Sequence, residues 1–234
     1  MKRFWAALAL ALGCGAAWAQ TPNVAPGFTG LPKEAKVAVM PTDIEVFSIS
    51  AGGVLEPRAD WTEAATRNFK SALQKRKGKL GLNTIEVAEK DADDFAELNG
   101  LHAAVARAIE MHHFGPGTLQ LPTKDGKLDW SLGESAKAVK KATGADYAIF
   151  SWVRDSYASD ERKAAMVAIA VLTLGRALPG GGVQTAYASL VELETGRVLW
   201  FGRLRRASGN LKESDEDAGE TIDTLFGSFP TAKQ

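Results

Sequence analysis

The sequence predicts an α/β fold: a mixed β-sheet of about five strands flanked by helices, with a β-hairpin and a helix at the C-terminal end. Three observations lead there. Apolar runs of strand length alternate with helical patterns through the first two thirds of the chain. Residues 145 to 155, ADYAIFSWVRD, form a near-continuous apolar strand. Residues 183 to 206 hold two strand-like runs joined at Glu194-Thr195-Gly196-Arg197, which is hairpin chemistry.

Taken in order, KVAVMP (residues 36 to 41) is a buried strand stopped by its proline. Residues 42 to 60 extend it through Ile44 and Val46 and break at Gly52-Gly53. Asp60, with Glu63 three places on, marks the start of an amphipathic helix carrying Trp61, Ala65, Phe69, Ala72 and Leu73 on one face. Residues 82 to 90 read as the next strand, and about 93 to 113 as a helix with Leu98, Leu101, Val105 and Ile109 in its stripe. A Gly/Pro-rich loop at 114 to 130 precedes a third helix ending near Gly144. After the central strand, the apolar stretch from Ala164 to Leu174 fits either a helix or a strand, and a last helix spans about 213 to 226.

The chain opens with Met1-Lys2-Arg3, an apolar run from Phe4 to Leu12, and small residues ending in Ala17-Trp18-Ala19 before Gln20, the pattern of a secretory signal peptide. That run is well short of the roughly 18 to 20 residues of a permanent span. The A-x-A match places cleavage between Ala19 and Gln20. A second pattern surrounds Cys14, the alternative lipidation site, but Ala11 stands where a lipoprotein signal has a branched aliphatic residue. The reading is therefore a signal peptide at 1–19, a flexible leader at 20–35, one α/β domain at 36–228 and a tail at 229–234. Localisation is periplasmic, with a membrane-anchored lipoprotein through Cys14 as the alternative.

Composition narrows the chemistry. Cys14 is the single cysteine, so cleavage after Ala19 leaves none, which removes intrachain disulfides, thiol nucleophiles and thiolate metal sites. Loss of Lys2 and Arg3 leaves 26 basic against 28 acidic residues, no footprint for nucleic acid. His102, His112 and His113 lack metal-ligand spacing, the acidic groups at Asp91, Asp93, Asp94 and 213 to 220 sit at helix starts, and there is no G-x-S-x-G elbow. No cofactor and no metal are assigned.

Gly144-Ala145-Asp146 leading into a strand, and Glu192-Leu193-Glu194-Thr195-Gly196-Arg197-Val198-Leu199-Trp200, together resemble two motifs of a group of envelope families. These families are built on the fold of the amino-terminal domain of the Tol-Pal translocation protein, and they include curli-secretion lipoproteins and penicillin-binding-protein activators. Glu192 stands where those families carry Asp. The resemblance spans roughly 150 residues and bears on fold more than function. It implies a protein that binds and assembles, with envelope proteins as partners.

The function expected is thus non-catalytic protein–protein contact in envelope assembly or maintenance. The alternative is a small periplasmic hydrolase or ligand-binding enzyme, which predicts a pocket gathering His112 or His113 with carboxylates. Residues 164 to 174 bear on the choice. Isolated apolar runs of that length are commonly buried, so a core helix is the first reading. Exposed, the segment becomes a partner surface of Met166, Val167, Ile169, Val171, Leu172 and Leu174, and 164–178 could also touch a membrane.

Overall fold

The computed structural model describes residues 22–80, 83–177, 180–207 and 209–230. Cys14, Ala19 and Gln20 lie outside the described residues, as do residues 231–234 of the expected tail.

The strands are β1 (Lys36–Val39), β2 (Asp43–Ile49), β3 (Leu55–Pro57), β4 (Asn83–Glu86), β5 (Tyr147–Ala158), β6 (Gln184–Glu192) and β7 (Val198–Arg206), all but the short exposed β3 following the apolar runs. The helices are α1 (Ala59–Leu80), α2 (Ala96–His112), α3 (Lys137–Thr143), α4 (Asp160–Leu172) and α5 (Asp215–Leu225). The fold is α/β, with a mixed sheet.

β5 is the axis of that sheet. Along one edge it pairs antiparallel with β6, which pairs in turn with β7 across the expected hairpin. Along its other edge lie β1 and then β2, both parallel to it and end to end. Pro41 has no N–H to give the ladder, so β1 and β2 are separated at Met40–Thr42. The register offset changes by one across the break: Val39 faces Ile149, whereas Asp43 faces Trp152. Outside this pair, β4 runs parallel to β1 and β3 antiparallel to the end of β2.

Alternation along the strands gives two apolar faces. Val37, Ile44, Val46, Ile149, Val153 and Leu190 pack with α1 and α5 through Phe69, Ala72, Ile222 and Leu225. Ala38, Phe150, Trp152 and Tyr187 pack with α2 and α3 through Ala106, Ile109 and Val139. The result is a helix–sheet–helix sandwich. The α1–α5 pair is also tied by Arg76, whose guanidinium donates to both carboxylate oxygens of Asp223 at 2.7 and 2.9 Å. Beside it, Lys75 and Ser71 donate to Asp215, and those donors with Glu216 hold its carboxyl at about 2.

Two expectations are corrected here. Residues 22 to 35, expected as a flexible leader, dock along the outer edge of β7. Val24 bridges Trp200, the Ala25 N–H donates to the Leu199 carbonyl at 2.9 Å, and the Asn23 side chain donates to the Phe201 carbonyl at 2.8 Å. Leu31 is fully buried in the α1/α5 core. A bare edge strand invites pairing with another chain, and this segment covers it. At the other end, Phe229 is buried edge-on to Trp200, so the fold runs past 228. Smaller shifts are local: α1 starts at Ala59 with Asp60 in its first turn, bound by Arg58, and Asp93–Phe95 form a 3₁₀ turn ahead of α2.

Candidate functional site

The candidate site stands at the carboxyl end of β5. Ser159 caps α4, its hydroxyl accepting from the Arg162 N–H at 3.2 Å, and Asp160 and Glu161 add negative charge in the first turn. From Ala164 onward the helix carries no charged side chain until Arg176. It stops at Thr173, whose hydroxyl donates to the Ile169 carbonyl at 2.7 Å. Leu174 (φ +52°) and Gly175 (φ +76°) then turn the chain through the left-handed region.

The base of α4 is stitched to the sheet. The Ser159 N–H donates to the Ile49 carbonyl at 2.9 Å and the Ala158 N–H to the Gly181 carbonyl at 2.7 Å. The Arg162 guanidinium donates to the Gly180 carbonyl at 3.1 and 3.2 Å and to the Ser50 carbonyl at 3.3 Å. The body of the helix is another matter, because none of its residues is buried.

The core-helix reading is therefore corrected: 164 to 172 lie in a helix, but an exposed one, and 173 and 174 form the turn that ends it. Val167, Val171, Leu172 and Leu174 are 64, 70, 83 and 81% exposed, while Met166 and Ile169 are half-buried against the sheet side. At 100° per residue, the exposed positions 164, 167, 168, 171 and 172 fan over about 140° with no polar group among them. Val54 and Leu55 on the β2–β3 hairpin and Val183 before β6 are also exposed, at the same end of the sheet. Sequence reasoning missed these three, since a short apolar pair after Gly52-Gly53 has no periodicity to flag it.

Under the base of α4 lies a cavity of about 970 Å³, walled by Ser50, Glu56, Trp61, Tyr157, Glu161 and Met166. Trp61 and Tyr157 meet edge to face at 5.7 Å, and the Lys212 ammonium sits 5.0 and 4.9 Å from the two rings. Asp160 is held below the usual carboxylate range by Lys163, and Glu161 by its own backbone N–H and the Ser159 hydroxyl, so both are charged helix-start residues. Next to the cavity, Asp155 is fully buried and burial pushes its carboxyl up. It accepts from the Tyr157 hydroxyl at 2.7 Å, the Ser156 N–H at 2.9 Å, the Gln184 amide at 3.3 Å and the Gly209 N–H at 3.4 Å. These bonds pin the segment after β7 to the sheet.

The histidines do not converge. His112 Nδ1 donates to the Leu119 carbonyl at 2.8 Å, and His113 Nε2 donates to the Pro22 carbonyl at 2.7 Å. Each serves a main-chain oxygen in place of a pocket shared with carboxylates. His102 is buried, 2.9 Å from the Ser189 hydroxyl and stacked on Phe150, and burial drives its imidazole down to about 3. Among the described residues no three His, Cys, Asp or Glu side chains gather as metal ligands, and no helix is long and apolar enough to cross a membrane.

No family profile and no curated protein matches the chain. Solved structures similar to it include the PelC dodecamer from Paraburkholderia phytofirmans, at 14% identity and TM-score 0.35 over 88% of this chain and 96% of that one. The LpoB C-terminal domain from Salmonella enterica is 13% identical, with TM-score 0.31, covering 79% of this chain and 88% of that one. The lipoprotein GNA1162 from Neisseria meningitidis is 13% identical, with TM-score 0.33, covering 83% and 95%. The functional reading rests on the geometry of α4.

Proposed function

We propose that this chain is a non-catalytic exported protein of the bacterial cell envelope that works by protein–protein contact, with α4 as the contact surface. The observation that carries the reading is the absence of any buried residue on α4. A helix apolar over a wide arc is stable in water only at a cost, and covering a Val or Leu side chain returns about 1.5–3 kcal/mol. Four such side chains outweigh the lower estimates of what association costs. Export follows from residues 1–19: the mature chain starts at Gln20 and is periplasmic, or it starts at acylated Cys14 and is membrane-anchored.

The test places a photo-crosslinking amino acid at Val171 in the protein's own bacterium, with the same substitution at exposed Lys141 on α3 as control. A discrete adduct with an envelope protein is expected from position 171 alone, lost when Leu172→Asp is added, with the thermal midpoint unchanged. Equal crosslinking from position 141, or none from position 171, overturns the proposal. Intact mass of the mature protein, purified in detergent, decides between Gln20 and Cys14 as the first residue.

A further inference from the structure

The α2 face of the sheet changes character along its strands. Phe150, Trp152, Tyr187 and Phe201 pack beneath α2 on that face. Side chains alternate, so the same face continues through Arg154 on β5, Thr185 on β6 and Arg205 on β7. These three stand opposite one another in the ladder, and none of them is buried. Where the face emerges from under α2 lies a pocket of about 290 Å³, walled by Glu110 of α2, Thr185 and Tyr187 of β6, and Arg203, Leu204 and Arg205 of β7. That is at the small end of the roughly 300–1,000 Å³ of sites that enclose whole ligands, so it suits one polar group with the rest of the molecule outside.

Tyr187 is the observation that points to a ligand. It is only 7% exposed, its ring held between Trp152 at 5.3 Å and Phe201 at 5.7 Å. A tyrosine buried this far ordinarily spends its hydroxyl on a partner. Among the described residues this hydroxyl has none, and the side chain lines the pocket. Burial, with Glu110, pushes the phenol above its ordinary range against the pull of Arg205, Arg107 and Arg203. It therefore stays protonated and is a donor to whatever enters. The Thr185 hydroxyl, on the same strand and face, is a second donor without a described partner.

The charges around the phenol select the ligand. Arg203 donates to both oxygens of Glu110, at 3.1 and 3.4 Å. Arg107, one turn before Glu110 on α2, lies 5.2 Å over the Trp152 ring and adds its charge to the same place. Arg205 is exposed and has no hydrogen bond or ion pair among the described residues. Arg154, next along the row, is engaged by Asp43 at 2.7 Å and Glu45 at 3.2 Å, and the three together add one negative charge on the β2 side. Three guanidiniums against one carboxylate leave two positive charges by the phenol. A planar carboxylate satisfies one guanidinium fork, whereas a tetrahedral phosphate presents three free oxygens in different directions, with a charge of about −1.5 to −2 at pH 7. We propose that this pocket binds a phosphate monoester group, carried by a soluble compound or by a lipid head, with Arg205, Arg203 and the Tyr187 and Thr185 hydroxyls as donors.

The experiment titrates the intact mature protein with glycerol 3-phosphate, read by amide chemical shifts at constant ionic strength, and cosediments it with phosphatidylcholine vesicles with and without phosphatidic acid. Saturable binding of glycerol 3-phosphate, with shifts at residues 107 to 110, 185 to 187 and 203 to 205, supports a soluble ligand. Cosedimentation that requires phosphatidic acid and is competed by glycerol 3-phosphate supports a lipid head. Arg205→Gln, at an exposed position, is expected to weaken binding about tenfold. Tyr187→Phe keeps the stacked ring and removes only the hydroxyl, for a loss of about three- to tenfold. Glu110→Gln removes the competing carboxylate and is expected to tighten binding about threefold. Leu172→Asp on α4 is expected to bind like wild type, which separates this site from the α4 contact surface. Binding of neither phosphate probe overturns the proposal. So does acetate bound as tightly as glycerol 3-phosphate, or binding unchanged in both Arg205→Gln and Tyr187→Phe.

Discussion

Gly196 closes the β6–β7 hairpin with φ +70°, and a Cβ built there would lie 2.2 Å from the Gly133 carbonyl oxygen and 2.6 Å from the Gly133 nitrogen. Gly144, the left-handed cap of α3 with φ +68°, would meet nothing within 4 Å. The two glycines share the backbone conformation and differ in their surroundings, so a matched pair of substitutions separates the two effects. Alanine in the left-handed region costs about 1 kcal/mol relative to glycine, which is the whole expected loss for Gly144→Ala. Gly196→Ala adds the displacement of the Gly133 backbone, which cannot rotate away as a side chain would, about 1–3 kcal/mol for such overpacking. The totals are about 1 and 2–4 kcal/mol. Urea unfolding followed by circular dichroism reads both. With a slope of about 2–3 kcal/mol/M for a domain of this size, Gly196→Ala lowers the midpoint by roughly 1 M and Gly144→Ala by less than half of that. Equal losses in the two variants would refute the reasoning and leave the turn conformation as the sole constraint on Gly196.

Two further outcomes follow from burial. Leu31→Ala is expected to lose about 2–5 kcal/mol of unfolding free energy, as for any fully buried leucine; a loss under about 0.5 kcal/mol would return residues 22 to 35 to the status of a leader. His102 is neutral in the fold down to about 3, whereas in the unfolded chain it takes up a proton below about 6.5. The unfolded state therefore binds more protons across that window and stability falls as pH falls. From pH 7 to pH 5 the loss attributable to this group is about 2 kcal/mol, present in wild type and absent in His102→Gln when both are unfolded in urea at the two pH values. An identical pH dependence in the two proteins would exclude His102 as its source.

The parts legible in the sequence are those where one signal dominates. β5 reads directly because it is buried on both faces, so its apolar run is nearly unbroken. The β6–β7 hairpin reads from Thr195-Gly196. What failed to read depends on main-chain partners or on what covers a surface. Val24 and Ala25 dock through backbone hydrogen bonds, which leave no mark on a Pro/Gly-rich stretch, and Leu31 is one apolar residue among many. β3 has all three residues exposed and so carries no pattern. For α4, composition gives a helix-forming apolar segment but not its neighbours: burial is decided by packing, and the sheet offers it only a base. His112 and His113 fall at the end of α2 as read, the latter as its cap, while His102 differs from them by its buried position on the inner stripe of α2, facing Phe150.

The break at Met40–Thr42 does more than interrupt a strand. Side chains alternate across a sheet, and the one-residue change of register across the break puts odd-numbered Val37 on the same face as even-numbered Ile44 and Val46. The connector therefore acts as a phase shifter. Deleting one residue from it would join β1 and β2 into a single uninterrupted strand. Val37 and Ile44 would then be six residues apart, like their partners Tyr147 and Val153, so both would keep the α1/α5 face. At its present length the chain depends on the break, because an unbroken run of seven residues would turn either Val37 or the Ile44/Val46 pair toward the α2 layer; a substitution of Pro41 that let the ladder run through would therefore cost more than removal of one residue.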